Sequence, residues 1–196
     1  MLVNSKELFK KAQEGHYAIP SANVLDMESI KYHVGVAQEL GLPLIVGVAE
    51  AHLGDNLTLE DAALVGKKYA DAASVPVVLH LDHGMSVETC KKAIDLGFTS
   101  VMIDASMKSF EENVAITKEV VEYAKAKDVS VEAEIGHVAS NFDENDTDAL
   151  YTTAEEAKKF CEESGCDSLA ISIGTAHGVY KAKAIPEISF DRLAEI

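Results

Sequence analysis

The feature that most constrains this chain is a strict alternation. Six short runs rich in Val, Ile and Leu are separated by longer stretches with helical periodicity. Apolar runs of about four to eight residues bounded by Gly, Pro or capping residues read as strands buried on both faces. The spacing predicts strands at 17–22 (YAIPSA), 43–48 (PLIVGV), 76–81 (PVVLHL), 99–103 (TSVMI), 129–134 (VSVEAE) and 168–173 (SLAISI). It predicts helices over 5–14, 26–40, 58–73, 86–96, 109–127 and 153–164, with PEISFDRLAEI opening another. Asn4 or Ser5 caps the first helix. Asp26, Thr58 with Asp61, Ser86, and Thr153 with Glu156 are start signals, and Gly41, Gly97 and Gly165 are stop signals. The long helix at 109–127 carries Val114, Val120, Val121 and Ala124 on one face.

Strict βα alternation implies parallel strands joined by right-handed crossovers. Two architectures compete, an open doubly wound sheet and a (β/α)8 barrel. No G-x-G-x-x-G follows the first strand, which weakens the dinucleotide-binding reading. Nearly every strand ends on a chemically capable residue: Asn23, Glu50, Asp82 with His83, Asp104, Glu134 and His177. A barrel gathers those ends at one mouth, where barrel active sites sit, whereas an open sheet spreads them along an edge. The expected fold is an α/β, (β/α)8 TIM barrel, incomplete at about six of eight βα units. It is expected to form a single domain over residues 1–196, truncated just inside the helix after strand six.

Composition narrows the function classes. A hydrophobic content of 47% excludes a disordered chain, and a net charge of −16 disfavours a nucleic-acid surface. No apolar run approaches the ~18 residues of a membrane span, and the N-terminus lacks the apolar core of a signal peptide. Cys90, Cys161 and Cys166 form no CxxC and are read as reduced thiols, mostly core filler, in a cytoplasmic protein.

The densest motif is HLDHG, 80–84. His80 and Asp82 share a strand face, and Gly84 lets the chain turn so that Asp82 and His83 both reach the mouth. An adjacent carboxylate and imidazole suit a metal ligand beside a proton-transfer group, with His80 deeper as a supporting residue. Asp104 either serves the site or caps the next helix, in competition with Ser106 to Ser109. Glu132 and Glu134 point inward from one buried strand, which is costly unless they are paired or hold a cation. Glu134 is the better site candidate, being nearer the mouth. In ISIGTAHGVYK, 171–181, His177 follows a strand, and N–H groups around Gly178 suit a phosphate; Lys181 is read as a surface lysine. His52 and His137 are weaker ligand candidates. No lysine is placed for a Schiff base, and no G-x-S-x-G or P-loop occurs, which leaves metal-assisted chemistry.

The segments YAIPSANV, PLIVGVAEA, VVLHLDHG, GFTSVMIDAS, VEAEIG and LAISIGTAHGVYK resemble, in order, the motifs of class II (zinc-dependent) ketose-bisphosphate aldolases. The resemblance covers the whole chain. It implies a (β/α)8 barrel, usually a homo-oligomer, that reversibly cleaves a ketose 1,6-bisphosphate to dihydroxyacetone phosphate and an aldehyde such as glyceraldehyde 3-phosphate. It implies that Asp82 is the catalytic proton donor. His83 and His177 match ligands of the catalytic zinc. Asp104 and Glu134 match ligands of a second or alternative position for a divalent or monovalent cation. Gly178 and Asn23 match substrate contacts. The family's third zinc histidine follows strand seven, beyond Ile196, so weak or absent turnover is expected of this chain. Ala49 stands where a hydroxyl is usual, and Phe142 stands near an acidic loop position, with Asp143 or Glu144 as substitutes. The rival reading is a non-catalytic aldolase-like subunit.

Overall fold

The computed structural model describes residues 1–136, 151–175 and 188–196. Six parallel strands form one sheet in the order β1 (Ser21–Asn23), β2 (Leu44–Ala49), β3 (Val77–Gly84), β4 (Ser100–Ile103), β5 (Ser130–Ile135) and β6 (Ser168–Ile171). Each strand lies beside its predecessor. That order decides between the two competing architectures, because a doubly wound sheet reverses direction at a switch point and this one does not. The fold is an incomplete (β/α)8 barrel, six staves with their helices.

The helices are α1 (Lys6–Gly15), α2 (Met27–Leu40), α3 (Leu59–Ala72), α4 (Val87–Leu96), α5 (Phe110–Lys125), α6 (Ala154–Ser164) and α7 (Phe190–Glu195). Asp26, Thr58, Ser109 and Thr153 each close a capping box with the residue three positions on, satisfying first-turn N–H groups. Alternate strand residues Val46, Val48, Val77, Leu79, Leu81, Val101, Ile103 and Val131 face the helices, where Ile30, Val34, Ala62, Cys90, Ile94 and Val120 meet them in the main core. The other face of the strands lines the barrel interior. At its bottom, Leu8 of α1 packs on Ile45 and Val78. This apolar layer anchors β1 to β5, and Leu169 of β6 packs on a smaller cluster around Phe160, so residues at the carboxyl ends are set by the sheet.

Several boundaries differ from expectation. The first strand starts at Ser21, because Pro20 has no N–H to give the ladder and joins β2 only through its carbonyl. Ile19 packs on the bottom plug, and the Pro20 carbonyl accepts from Ile45 N at 3.0 Å. The third strand runs on to Gly84, while the sixth ends at Ile171. A 3-10 turn, Glu50–His52, follows β2. Ser5 makes no side-chain cap; its Oγ bonds Ser130 Oγ at 2.8 Å, tying α1 beneath β5. Val120 and Ala124 are buried on α5, whereas Val121 only flanks the main core and Val114 belongs to a smaller cluster around Phe160.

Candidate metal and catalytic site

The site begins with an irregularity in β3. Pairing with β4 runs through Leu81, skips, and resumes at Gly84, and His83 sits at φ 47°. A non-glycine residue in the left-handed region is uncommon, and here it accompanies a β-bulge. Alternation would send Asp82 and His83 to opposite faces. The bulge breaks that alternation and lets His83 meet the interior carboxylates of β4 and β5. Gly84 accommodates the bulge by close approach and not by a special φ. A Cβ there would lie 2.6 Å from the Met102 carbonyl and 2.8 Å from Cys90 Sγ.

Three residues from successive strands converge. Asp104 Oδ2 accepts from His83 Nδ1 at 2.8 Å, and Glu134 Oε2 lies 3.9 Å from the same nitrogen. Ligand atoms of His83, Asp104 and Glu134 all lie within 4.8 Å of one another. Asp104 does not cap α5, as Ser109 fills that role. Its Oδ1 accepts instead from Ser106 N at 3.1 Å and Ser106 Oγ at 2.7 Å. Glu134 is 1% exposed. One imidazole and two carboxylates, one of them deeply buried, make a donor set that fits a divalent cation.

The same carboxylates also favour a proton on His83. The hydrogen bond to Asp104 is the main cause that pushes His83 up to about 9; burial opposes it, and the charges of Asp82, Glu134 and Asp104 add to it. Burial alone would raise Asp104, but hydrogen bonds from His83 and Ser106 outweigh it and hold the carboxyl at about 2. A deeper pair lies below. His80 Nδ1 shares a hydrogen bond with Ser100 Oγ at 2.9 Å, and its Nε2 is 3.7 Å from Glu132 Oε2. Burial pushes His80 down to about 4, against the charge of Asp82. Burial, then the charge of Asp82, pushes Glu132 up to about 7. His80 thus lies deeper than His83, held against Ser100 and Glu132.

The remaining candidates divide. Asp82 is half-buried at the end of β3, opposite Ala49 in register. Asn23 ends β1 opposite Gly47 and is exposed. Glu50 is not a free mouth group: its carboxylate accepts from Met85 N at 2.6 Å and Thr89 Oγ1 at 3.1 Å, fastening the turn after His83 to α4. His52 is exposed in the 3-10 turn, away from the cluster of ligand atoms. His177, Gly178, His137, Phe142, Asp143, Glu144 and Lys181 lie outside the described residues.

Two supports are not evident from the sequence. Asn113 is buried on α5 and donates from Nδ2 to the Glu134 carbonyl at 2.8 Å, with its Oδ1 accepting from Thr117 at 3.2 Å. Positions 113, 117, 120 and 124 share one helix face, so a polar residue at the head of that stripe is the available signal. Ser106, which in the sequence competes only as a helix cap, instead holds Asp104.

Six barrel staves with an imidazole and carboxylates at their carboxyl ends are the arrangement of (β/α)8 enzymes. A family model described as fructose-bisphosphate aldolase class-II matches residues 3–196. A fructose-bisphosphate aldolase of Staphylococcus aureus (strain Mu50) is 42% identical over 199 residues, covering 100% of this chain and 68% of that protein. The corresponding enzyme of Thermus caldophilus is 44% identical over 202 residues, covering 100% of this chain and 65% of its own length. Among solved structures, the YdjI aldolase of Escherichia coli K12 superposes with a TM-score of 0.87 at 35% identity, covering 100% of this chain and 68% of that one. The chain belongs to the class-II fructose-bisphosphate aldolase family, whose members are in general zinc-dependent lyases acting on phosphorylated sugars. Among the described residues no helix is long and apolar enough to cross a membrane.

Proposed function

We propose that this protein carries out the reversible, zinc-dependent aldol cleavage of a ketose 1,6-bisphosphate to dihydroxyacetone phosphate and an aldehyde. The observation that carries the reading is the convergence of His83, Asp104 and Glu134 beside Asp82 at the mouth. His83, with His177 from the following segment, would hold the zinc, and Asp104 and Glu134 an alternative cation position. A bound zinc ion supplies Lewis acidity toward the substrate's carbonyl oxygen.

The chain's own residues do the rest. The Asp82 carboxyl gives a proton to the aldehyde oxygen as the carbon–carbon bond forms and takes it back in cleavage. Asp104 and Glu134 keep His83 oriented, and Ser106 fixes Asp104. Asn23 at the open end of β1 meets the sugar, and the N–H groups around Gly178 take the phosphate of the dihydroxyacetone half. Fructose 1,6-bisphosphate, the substrate in the relatives' names, is the first substrate to try.

The test follows cleavage of fructose 1,6-bisphosphate with zinc and with EDTA, alongside zinc binding; even a slow rate suffices for the comparison. Expected are EDTA-sensitive cleavage, and an Asp82→Asn variant that keeps zinc and loses turnover by about 10²-fold or more. Turnover that survives EDTA or Asp82→Asn, or a chain that does not bind zinc, refutes the reading.

A further inference from the structure

Helix α6 ends on Gly165 in the left-handed region at φ 74°, with the Gly165 N–H donating to the Cys161 carbonyl at 2.9 Å. This cap folds the chain back over the last helical turn. The residue after the glycine then lands on the residue four before it, a contact that an apolar pair commonly fills. Here both positions are cysteine. Cys161 Sγ and Cys166 Sγ are 3.8 Å apart, and both residues are half-buried free thiols. Cys90 differs: it is fully buried in the main core, and its Sγ donates to the Met102 carbonyl at 3.5 Å. Access is also unequal. Cys161 lines an open cavity of about 760 Å³ together with Gln13, Lys158, Leu169 and Ile196, and Cys166 does not line it.

We propose that Cys161 and Cys166 form a redox-active dithiol that a small-molecule disulfide oxidises to a disulfide across the α6 cap. The Cys161 thiolate attacks one sulfur of the reagent, whose S–S bond breaks and whose departing thiolate takes up a proton. Cys166 loses its proton and attacks the Cys161 sulfur of the mixed disulfide, expelling the second half of the reagent as a thiol. Two electrons and two protons pass from the cysteine pair to the reagent, which leaves as two thiols. The order follows from structure. Cys161 faces the cavity, while burial pushes the Cys166 thiol up to about 12, which suits it poorly for first attack on a reagent in solution. Its contact with Cys161 makes the second step intramolecular, and the bond needs the sulfurs to close from 3.8 Å to about 2.05 Å by side-chain rotation.

The experiment incubates the native chain with oxidised glutathione, quenches with iodoacetamide and maps peptides. Both cysteines fall in tryptic peptide 160–181, and Cys90 falls in another. The expected product is peptide 160–181 short of two hydrogens, restored by dithiothreitol and unchanged in Cys90→Ser. Cys166→Ser should trap glutathione on Cys161, and Cys161→Ser should react about tenfold more slowly at Cys166. Circular dichroism checks that each variant folds. A lasting glutathione adduct in the unaltered chain, no reaction where a reference dithiol is oxidised, or the same mixture of pairings with Cys90 in buffer and in urea overturns the proposal.

Discussion

Replacing Gly84 with alanine probes the joint on which the site depends. The added Cβ would stand 2.6 Å from the Met102 carbonyl, 2.8 Å from Cys90 Sγ and 3.0 Å from Leu81 Cδ2. The nearest atom is backbone in the adjacent strand, so relief requires β3 and β4 to part. Their separation strains the hydrogen bond from Asp104 N to the Gly84 carbonyl, now 2.9 Å. Overpacking of this kind costs about 1–3 kcal/mol, and a weakened backbone hydrogen bond adds about 0.5–1.5 kcal/mol. A total of about 2–4 kcal/mol at a urea slope of about 2–3 kcal/mol/M lowers the unfolding midpoint by about 1 M. The same displacement moves His83 and Asp104 apart, so zinc affinity should fall with stability. Urea titration and zinc competition measure the two effects. A midpoint within about 0.2 M of the unaltered chain, with zinc affinity unchanged, would refute the claim that close approach at Gly84 sets the bulge.

The proton on His83 competes with a metal, so zinc affinity should climb with pH until about 9 and then level; calorimetry across pH 6–10 that finds no slope removes His83 from the ligand set. In the metal-free chain the sign is opposite. The His83 pKa is raised on folding from 6.5 to about 9, so its stabilisation is complete below about pH 6.5 and is lost as pH rises through about 9, which urea midpoints at pH 6 and 9.5 compare with those of His83→Gln. Ser106→Ala frees Asp104 Oδ1 from its 2.7 Å partner and should weaken zinc binding by about 10–100-fold, measured by competition with a chelating dye. Phe160→Ala empties the centre of the α5–α6 cluster, where Phe160 meets Phe110 edge-on at 5.8 Å, and should cost about 3–5 kcal/mol by denaturant titration without changing zinc affinity.

Much of the fold is legible in one dimension because its causes are local. The capping boxes at Thr58–Asp61 and Thr153–Glu156 join residues three apart, and Gly41, Gly97 and Gly165 end helices through their own φ. The apolar runs fall where the strands are, since both faces of the inner strands β2 to β5 are covered. The motif HLDHG and the inward Glu134 are visible for the same reason: ionisable groups inside such runs stand out against their neighbours. Less visible are residues whose partners are distant in sequence. Glu50 reads as a mouth carboxylate until Met85 and Thr89 are seen to occupy it, and Asn113 gains its role only from the Glu134 carbonyl 21 residues away.

By itself the sequence determined that strands and helices alternate, where most of them begin and end, and which residues at the strand ends are chemically able, because helix caps and apolar runs are properties of neighbouring residues. Only the tertiary structure decided that the strands lie in sequential order, that a bulge at His83 cancels the alternation sending it away from Asp104, and that the cap on Gly165 sets two thiols in contact. Those outcomes depend on register and distance between elements, and sequence spacing carries neither until the chain has folded.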